Sequence, residues 1–415
     1  MKTDTGDELV DALVTEMAGM TIVDAHEHLP REDELLAESP DIFTRLFGQY
    51  TPSMVASAGL PDARARLKDA QVPLEERWRL FKPFFAAIQD TGYARSALRA
   101  ARDIFGIDEI SDDTWRVLTR KIQDADTPGL YDRILKGTCR IGRIINQGSW
   151  RDAFTPGMFR PFMYLPETDA RDITGIYDAW EADKARTLAS AEEWARAWCA
   201  DIAGQGFIGL KFAASIPPAC ITDAEAESLF RKLREKRMDD AEAKALGVWL
   251  MHASLRLAPE HDFVVAIHCG LNWEVYMDLG DKSPMRIVPL LMKYRSTVFD
   301  LYHAGIPWVR EMGVIGNQYP NANLNLCWTH QGSPYMAEHM LNEWIDLVPA
   351  NKIIGFGGDV SAGPYKVYGA LCFARENIAR ALAVRIRRGQ MTEGRALDIC
   401  RAWLSENPKR IYGLA

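Results

Sequence analysis

The feature that most constrains this chain is a repeated alternation of short apolar runs, polar or Gly/Pro breaks and amphipathic helical stretches. Eight runs read as strands: 21–25, 139–146, 161–165, 207–213, 263–268, 298–303, 323–329 and 352–356. Helical patterns such as 191–203, 334–347 and 367–387 separate most of them. Strands buried on both faces read as continuous apolar runs, and eight of them alternating with helices are the pattern of an α/β (β/α)8 TIM barrel. Such a barrel takes about 250 residues, whereas the chain has 415. Much of the excess falls between the first two strands. The expectation is one domain, 1–415, with a helical insertion after strand 1 at 29–136. An insertion there lies over the C-terminal mouth of the barrel, where active sites sit, and is expected to act either as a lid or pocket wall or, on loop physics alone, as a peripheral helical cap without substrate contact. Trp78, Leu80, Phe81, Phe84 and Phe85 should give it a small core of its own.

The first strand runs into Asp24-Ala25-His26-Glu27-His28. Side chains two apart on a strand share a face, so His26 and His28 can aim two imidazoles at one point, with Asp24 behind them. Paired neutral imidazoles suit a borderline divalent cation such as zinc. A lone His-x-His also arises by chance at a surface strand end. Other strand ends argue against chance here, because His268, His303 and His330 close or follow the fifth, sixth and seventh strands. Asp359 follows Gly357-Gly358 after the eighth. Five of the eight histidines thus fall at one expected rim. Any single buried histidine is usually bonded to a backbone carbonyl, but five at one rim are hard to explain that way. His252, His261 and His339 sit in helical or loop contexts and read as structural or surface residues.

Lys211 lies late in an otherwise apolar strand, and a buried lysine is expensive unless paired or modified. It has three readings: carboxylated and bridging two metals, binding a substrate carboxylate, or reaching out to water. Cys269 and Cys327 alternate away from their histidine neighbours and read as packing residues.

The bulk numbers exclude several classes. A formal net charge of −8 argues against nucleic acid and anionic membranes as partners. No run approaches the ~18 apolar residues of a membrane span, and from the polar, acidic residues 1–8 no signal peptide is expected. Seven scattered cysteines without a CxxC pair fit reduced thiols, so a cytoplasmic location is expected. The expected partners are a small-molecule substrate and further copies of this chain.

Taken together, His26-x-His28, His268, His303 and Asp359 on strands one, five, six and eight resemble the amidohydrolase superfamily. Phe299-Asp300-Leu301-Tyr302-His303-Ala304-Gly305-Ile306-Pro307-Trp308 is similar to the strand-six His-x-Gly-x-Pro signature of its amidohydrolase-2 type branch of metal-dependent hydrolases. The pair 323–328 and 352–359 and the ending 407–414 are similar to the same branch. Segments 97–109 and 111–121 resemble the helical insertion of uronate isomerases, which belong to the same superfamily. Those enzymes carry Asp-Ser-Arg after strand eight, whereas this chain reads Asp359-Val360-Ser361.

The resemblance implies that His26, His28 and His268 bind a divalent metal, most readily zinc, with manganese or another divalent ion as alternatives. Asp359 either completes the ligand set or accepts the proton of a water, and His303 polarises the substrate or stabilises an oxyanion. Lys211, His330, Trp328 and Arg160 are the candidate substrate-binding residues, although Arg160 starts its strand and can face the wrong rim. Asp24 could orient His26 or His28. The implied reaction is metal-dependent hydrolysis of a C–N or C–O bond in a small polar, carboxylate-bearing substrate. Uronate isomerisation or decarboxylation are the alternatives, and a non-catalytic metal-binding barrel is the remaining one.

Overall fold

The computed structural model describes residues 5–148, 157–165, 188–213, 216–235, 237–272 and 275–414. Among these residues eight strands form one parallel sheet in sequence order: β1 Ile22–Glu27, β2 Ile141–Gly148, β3 Phe159–Leu165, β4 Gly209–Phe212, β5 Val264–Ile267, β6 Val298–Leu301, β7 Ala322–Asn325 and β8 Ile353–Ile354. All eight expected strands are present, and the architecture is a TIM barrel. β8 is only two residues long because the chain then runs through Gly355, Gly357 and Gly358. This extended run still closes the ring: Ala25 N–H donates to Phe356 O at 3.1 Å, Asp359 N–H to His26 O at 2.8 Å and His28 N–H to Val360 O at 3.1 Å.

Glycine is required at this seam. A Cβ on Gly357 would stand 2.6 Å from Cys327 Cβ and 3.0 Å from the His26 backbone, inside van der Waals contact.

Two apolar layers hold the barrel. The outer one packs strand residues such as Ile22, Leu210, Val265 and Leu324 against surrounding helices, including Glu8–Gly19 and Pro364–Arg387. The inner one fills the barrel with Ala25, Ile145, Phe162, Ala266, Tyr302 and Ile354, and is plugged by Tyr412 from the C-terminal end. The Tyr412 hydroxyl donates to Asp300 Oδ2, which also accepts from Asn325 Nδ2 at 2.9 Å. The barrel is therefore a packed core below its mouth.

Between β1 and β2 lie several helices, among them Thr51–Ser57, Ala63–Lys68, Leu74–Ile88, Gly92–Phe105 and Trp115–Ala125. Trp78, Phe81 and Phe85 are buried at helical spacing, while Leu80 and Phe84 sit on the flanks of that stripe. Phe81 meets Phe43, Phe47 and Phe85 at ring-centroid distances of 5.3, 5.3 and 5.2 Å. Arg45, fully buried, ties the segment together by ion pairs to Asp126 (2.7 Å) and Glu38 (2.9 Å). No helix among the described residues is long and apolar enough to cross a membrane.

Candidate active site

The barrel mouth opens into a cavity of about 230 Å³, smaller than the roughly 300–1,000 Å³ pockets that take drug-sized ligands. His26, His28, Lys211, His268, His303, Trp328 and Asp359 all line it. His26 Nε2 is 3.0 Å and His28 Nε2 3.4 Å from Asp359 Oδ1, and His303 Nδ1 is 3.9 Å from Oδ2. Donor atoms of His26, His303 and Asp359 all lie within 4.8 Å of one another. Ligands about 2.0–2.1 Å from one zinc ion stand roughly 3.0–3.4 Å apart, and the His26–Asp359 and His28–Asp359 distances match that spacing. His268 stacks its ring 4.2 Å from that of His303. Its Nε2 bonds Leu271 O at 3.0 Å, and His268 lies outside the donor cluster of His26, His303 and Asp359.

Local backbone geometry aims these groups. His303, Trp328 and Asp359 each follow a strand and adopt φ of 64°, 63° and 54°. Left-handed conformations cost most residues with a Cβ about 1–2 kcal/mol, Asp less, and such strain gathers at functional sites because surrounding contacts over-determine it. Three in one mouth turn the chain sharply at the rim and point its side chains inward.

Burial makes the imidazoles neutral. His28 is pushed down to about 3 by burial and by neighbouring His26. His268 and His303 fall well below the usual histidine range for the same first reason, with Lys211 adding to it. Burial also lowers His26, with Asp359 opposing. Burial works against ionisation of Asp359, whereas His26, His303 and His28 favour its carboxylate through their charge when protonated, and His26 also through a hydrogen bond, which is the part that persists when the imidazoles are neutral. The cluster thus offers neutral nitrogen lone pairs beside one carboxylate, a donor set a divalent cation prefers.

The strand-parity expectation for Asp24 fails. β1 advances three residues, from Asp24 to Glu27, while β2 advances two, from Ile144 to Asn146. That β-bulge flips the alternation. Asp24 is hydrogen-bonded to Glu27 and accepts from the backbone of His26 (3.3 Å) and Gly358 (3.2 Å) instead of backing an imidazole. Burial raises Asp24 to about 6, and burial together with Asp24 raises Glu27 well above the carboxylate range, so the pair keeps a proton at neutral pH.

Two candidate residues do not reach the cavity. His330 is buried with Nε2 on Gly355 O at 2.9 Å and Nδ1 3.3 Å from Asn377 Nδ2. The turn at Trp328 and the helix that follows carry it behind β8, where it holds the strand's exit. Arg160 sits near the start of β3, at the opposite end of the barrel from the mouth, with Nη1 on Phe159 O at 3.4 Å. Lys211 is 2% exposed, which removes the reading in which it reaches water. Its Nζ stands 4.1 Å from the Tyr302 ring centroid, a cation–π distance. Cys327 is buried beside His303, and burial keeps its thiol protonated.

Arg64, one of the arginines of the 29–136 insertion that are candidates for binding a substrate carboxylate, lines the cavity, whereas the sequence reading missed Gln49, Tyr50, Tyr164, Asn272 and Ser361, which also line it. Tyr50, Tyr93 and Trp328 form an aromatic wall with centroid distances of 5.0–5.7 Å. None of these residues carries a metal-ligand spacing, so only their contacts reveal them.

No protein-family profile matches the chain. It is 23% identical over 258 residues to the protein fluG of Emericella nidulans, a match covering 59% of this chain and 29% of that longer protein. The chain therefore spans less than a third of the length of this curated relative. Its fold is similar to glucuronate isomerase from Caulobacter crescentus (TM-score 0.78, 17% identity, 98% and 94% of the two chains). It is also similar to uronate isomerase from Thermotoga maritima (0.76, 13%, 98% and 97%) and to a candidate metal-dependent hydrolase from Lactobacillus casei (0.63, 15%, 97% of each). At these identities the likeness establishes the barrel.

Proposed function

We propose that the chain is a metal-dependent enzyme of the amidohydrolase type that hydrolyses a C–N or C–O bond in a small carboxylate-bearing substrate. The observation that carries this reading is the meeting of His26, His28 and Asp359 at 3.0 and 3.4 Å, with neutral imidazoles around an ionised carboxylate. His26, His28 and Asp359, with His268 or His303, would hold a divalent cation, zinc first and manganese next. When bound, such an ion supplies Lewis acidity and lowers the pKa of a coordinated water to about 7. Asp359 takes the proton of the attacking water and returns it to the leaving amine or alcohol. His303, whose donor atom lies within 4.8 Å of those of His26 and Asp359, is placed to help polarise the substrate at the reacting centre. Lys211 and Arg64 supply the positive charge that draws a carboxylate into the cavity, and Trp328 with Tyr50 forms the wall against which the rest of the substrate packs.

A second reading, aldose–ketose isomerisation, is favoured by the whole-chain likeness to two uronate isomerases. There Asp359 would move a proton between adjacent carbons. Ser361 stands where those enzymes typically carry arginine, which counts against uronate isomerisation. Metal analysis followed by a panel of amides, lactones, aromatic acids and uronates separates the readings. Ammonia, amine or acid release supports hydrolysis, ketose formed from uronates alone replaces it by isomerisation, and a protein that takes up no metal overturns both.

A further inference from the structure

The backbone of Asp359 is held from every side. Its N–H donates to His26 O at 2.8 Å. Its carbonyl accepts from both Gln49 Nε2 at 2.8 Å and Tyr50 OH at 2.6 Å. On either side, Gly358 N–H donates to Asp24 and Val360 N–H to Glu27 at 2.6 Å. Ser361 N–H then donates to Gln49 Oε1 at 2.8 Å. Gln49 therefore commits both halves of its amide to this one loop, as donor to residue 359 and acceptor from residue 361. Gln49 and Tyr50 are each 6% exposed, so neither exchanges these contacts for water. The chain reaches this depth because Gly48 passes the Phe43 carbonyl where a Cβ would stand 2.1 Å away.

We infer that Gln49 and Tyr50 are positioning residues: they clamp the residue 359–361 backbone so that the Asp359 carboxylate stays aimed at His26 and His28. The inference rests on the reading of Asp359 as metal ligand and proton acceptor. Asp359 sits at φ 54°, a left-handed conformation that aspartate tolerates better than most residues but populates less than the right-handed and extended ones. A carbonyl with two buried donors resists relaxation to those, since rotating the peptide would orphan both donors. Because the carboxylate rides on this peptide, releasing the clamp turns it away from the imidazoles. The helical segment after β1 thereby sets the geometry of the loop after β8, with no side chain of its own among the ligands.

Two measurements on the full chain test this. In crystals of metal-free Gln49→Ala, Asp359 is expected to leave the left-handed region and its 3.0 Å contact with His26 to open; an unchanged φ and contact overturn the inference. In solution, zinc affinity read by chelator competition is expected to fall about 10–100-fold in Gln49→Ala, the usual effect of losing a residue that orients a ligand. The same substitution placed on Asp359→Asn should then change affinity by less than about 2-fold, because the carboxylate it positions is gone. An equal fall in both backgrounds would show that Gln49 acts through general stability, and overturns the inference. Tyr50→Phe keeps the aromatic wall and removes one donor, so it serves as the second variant should Gln49→Ala not fold, with the same criteria. If the wild-type chain binds no zinc while the contact opens in Gln49→Ala, the metal reading falls and the positioning role stands.

Discussion

His26 and Asp359 come from opposite ends of the chain, yet His26 Nε2 and Asp359 Oδ1 meet at 3.0 Å and Asp359 N–H bonds the His26 carbonyl. The seam that closes the barrel is thus also the centre of its candidate site. Replacing Asp359 by Asn keeps the shape and removes the proton acceptor. The expected outcome is a folded protein whose turnover of an identified substrate drops about 10²–10⁴-fold. Activity within a few-fold of wild type would remove Asp359 from the mechanism.

Gly357→Ala probes the seam itself. The new methyl group meets Cys327 and the His26 backbone, and overpacking of this kind costs about 1–3 kcal/mol. Denaturant unfolding should show that loss together with weakened zinc binding, because the displaced strand carries His26.

His330 separates a structural histidine from a ligand. With burial holding it down at about 4, it donates from Nε2 to Gly355 O and accepts at Nδ1 from Asn377. His330→Leu should lower stability by about 1–3 kcal/mol, the cost of leaving buried partners unsatisfied, without changing metal stoichiometry. Loss of metal at full stability would return His330 to the site.

Asp300 gives a pH signature. Burial raises its carboxyl to about 7, against the hydrogen bonds from Tyr412 and Asn325. A folded value above the unfolded one means the native state holds a proton that the unfolded chain has released. The contribution to stability is therefore full below about pH 4 and is lost as pH rises towards 7. Asp300→Asn removes the titration, so its stability relative to wild type should improve by about 2–4 kcal/mol between pH 4 and pH 8. Parallel stability curves would contradict this.

Arg45 tests the segment between β1 and β2. Its guanidinium is fully buried against Asp126, which also accepts from Tyr365 OH at 2.8 Å. Arg45→Met strands a buried carboxylate, and breaking such a pair costs about 3–5 kcal/mol. Chemical denaturation should show it, with Tyr365→Phe costing only about 1 kcal/mol.

Local pattern alone determined the eight strands, the histidines at their ends and Asp359 behind its glycines, because burial on both faces writes itself as apolar runs and polar interruptions at their ends stand out. Tertiary structure decided the rest. The bulge in β1 reverses strand parity and sends Asp24 to Glu27, an effect no two-residue period contains. His330 reads as a rim residue in sequence, but the turn after β7 carries it behind β8. Gln49 and Tyr50 bear no metal-ligand spacing, and they matter only because folding sets them against a carbonyl more than three hundred residues away. The His-x-His pair names a chemistry that a strand can present, whereas the aim of its carboxylate partner depends on contacts between segments that only the closed barrel brings together.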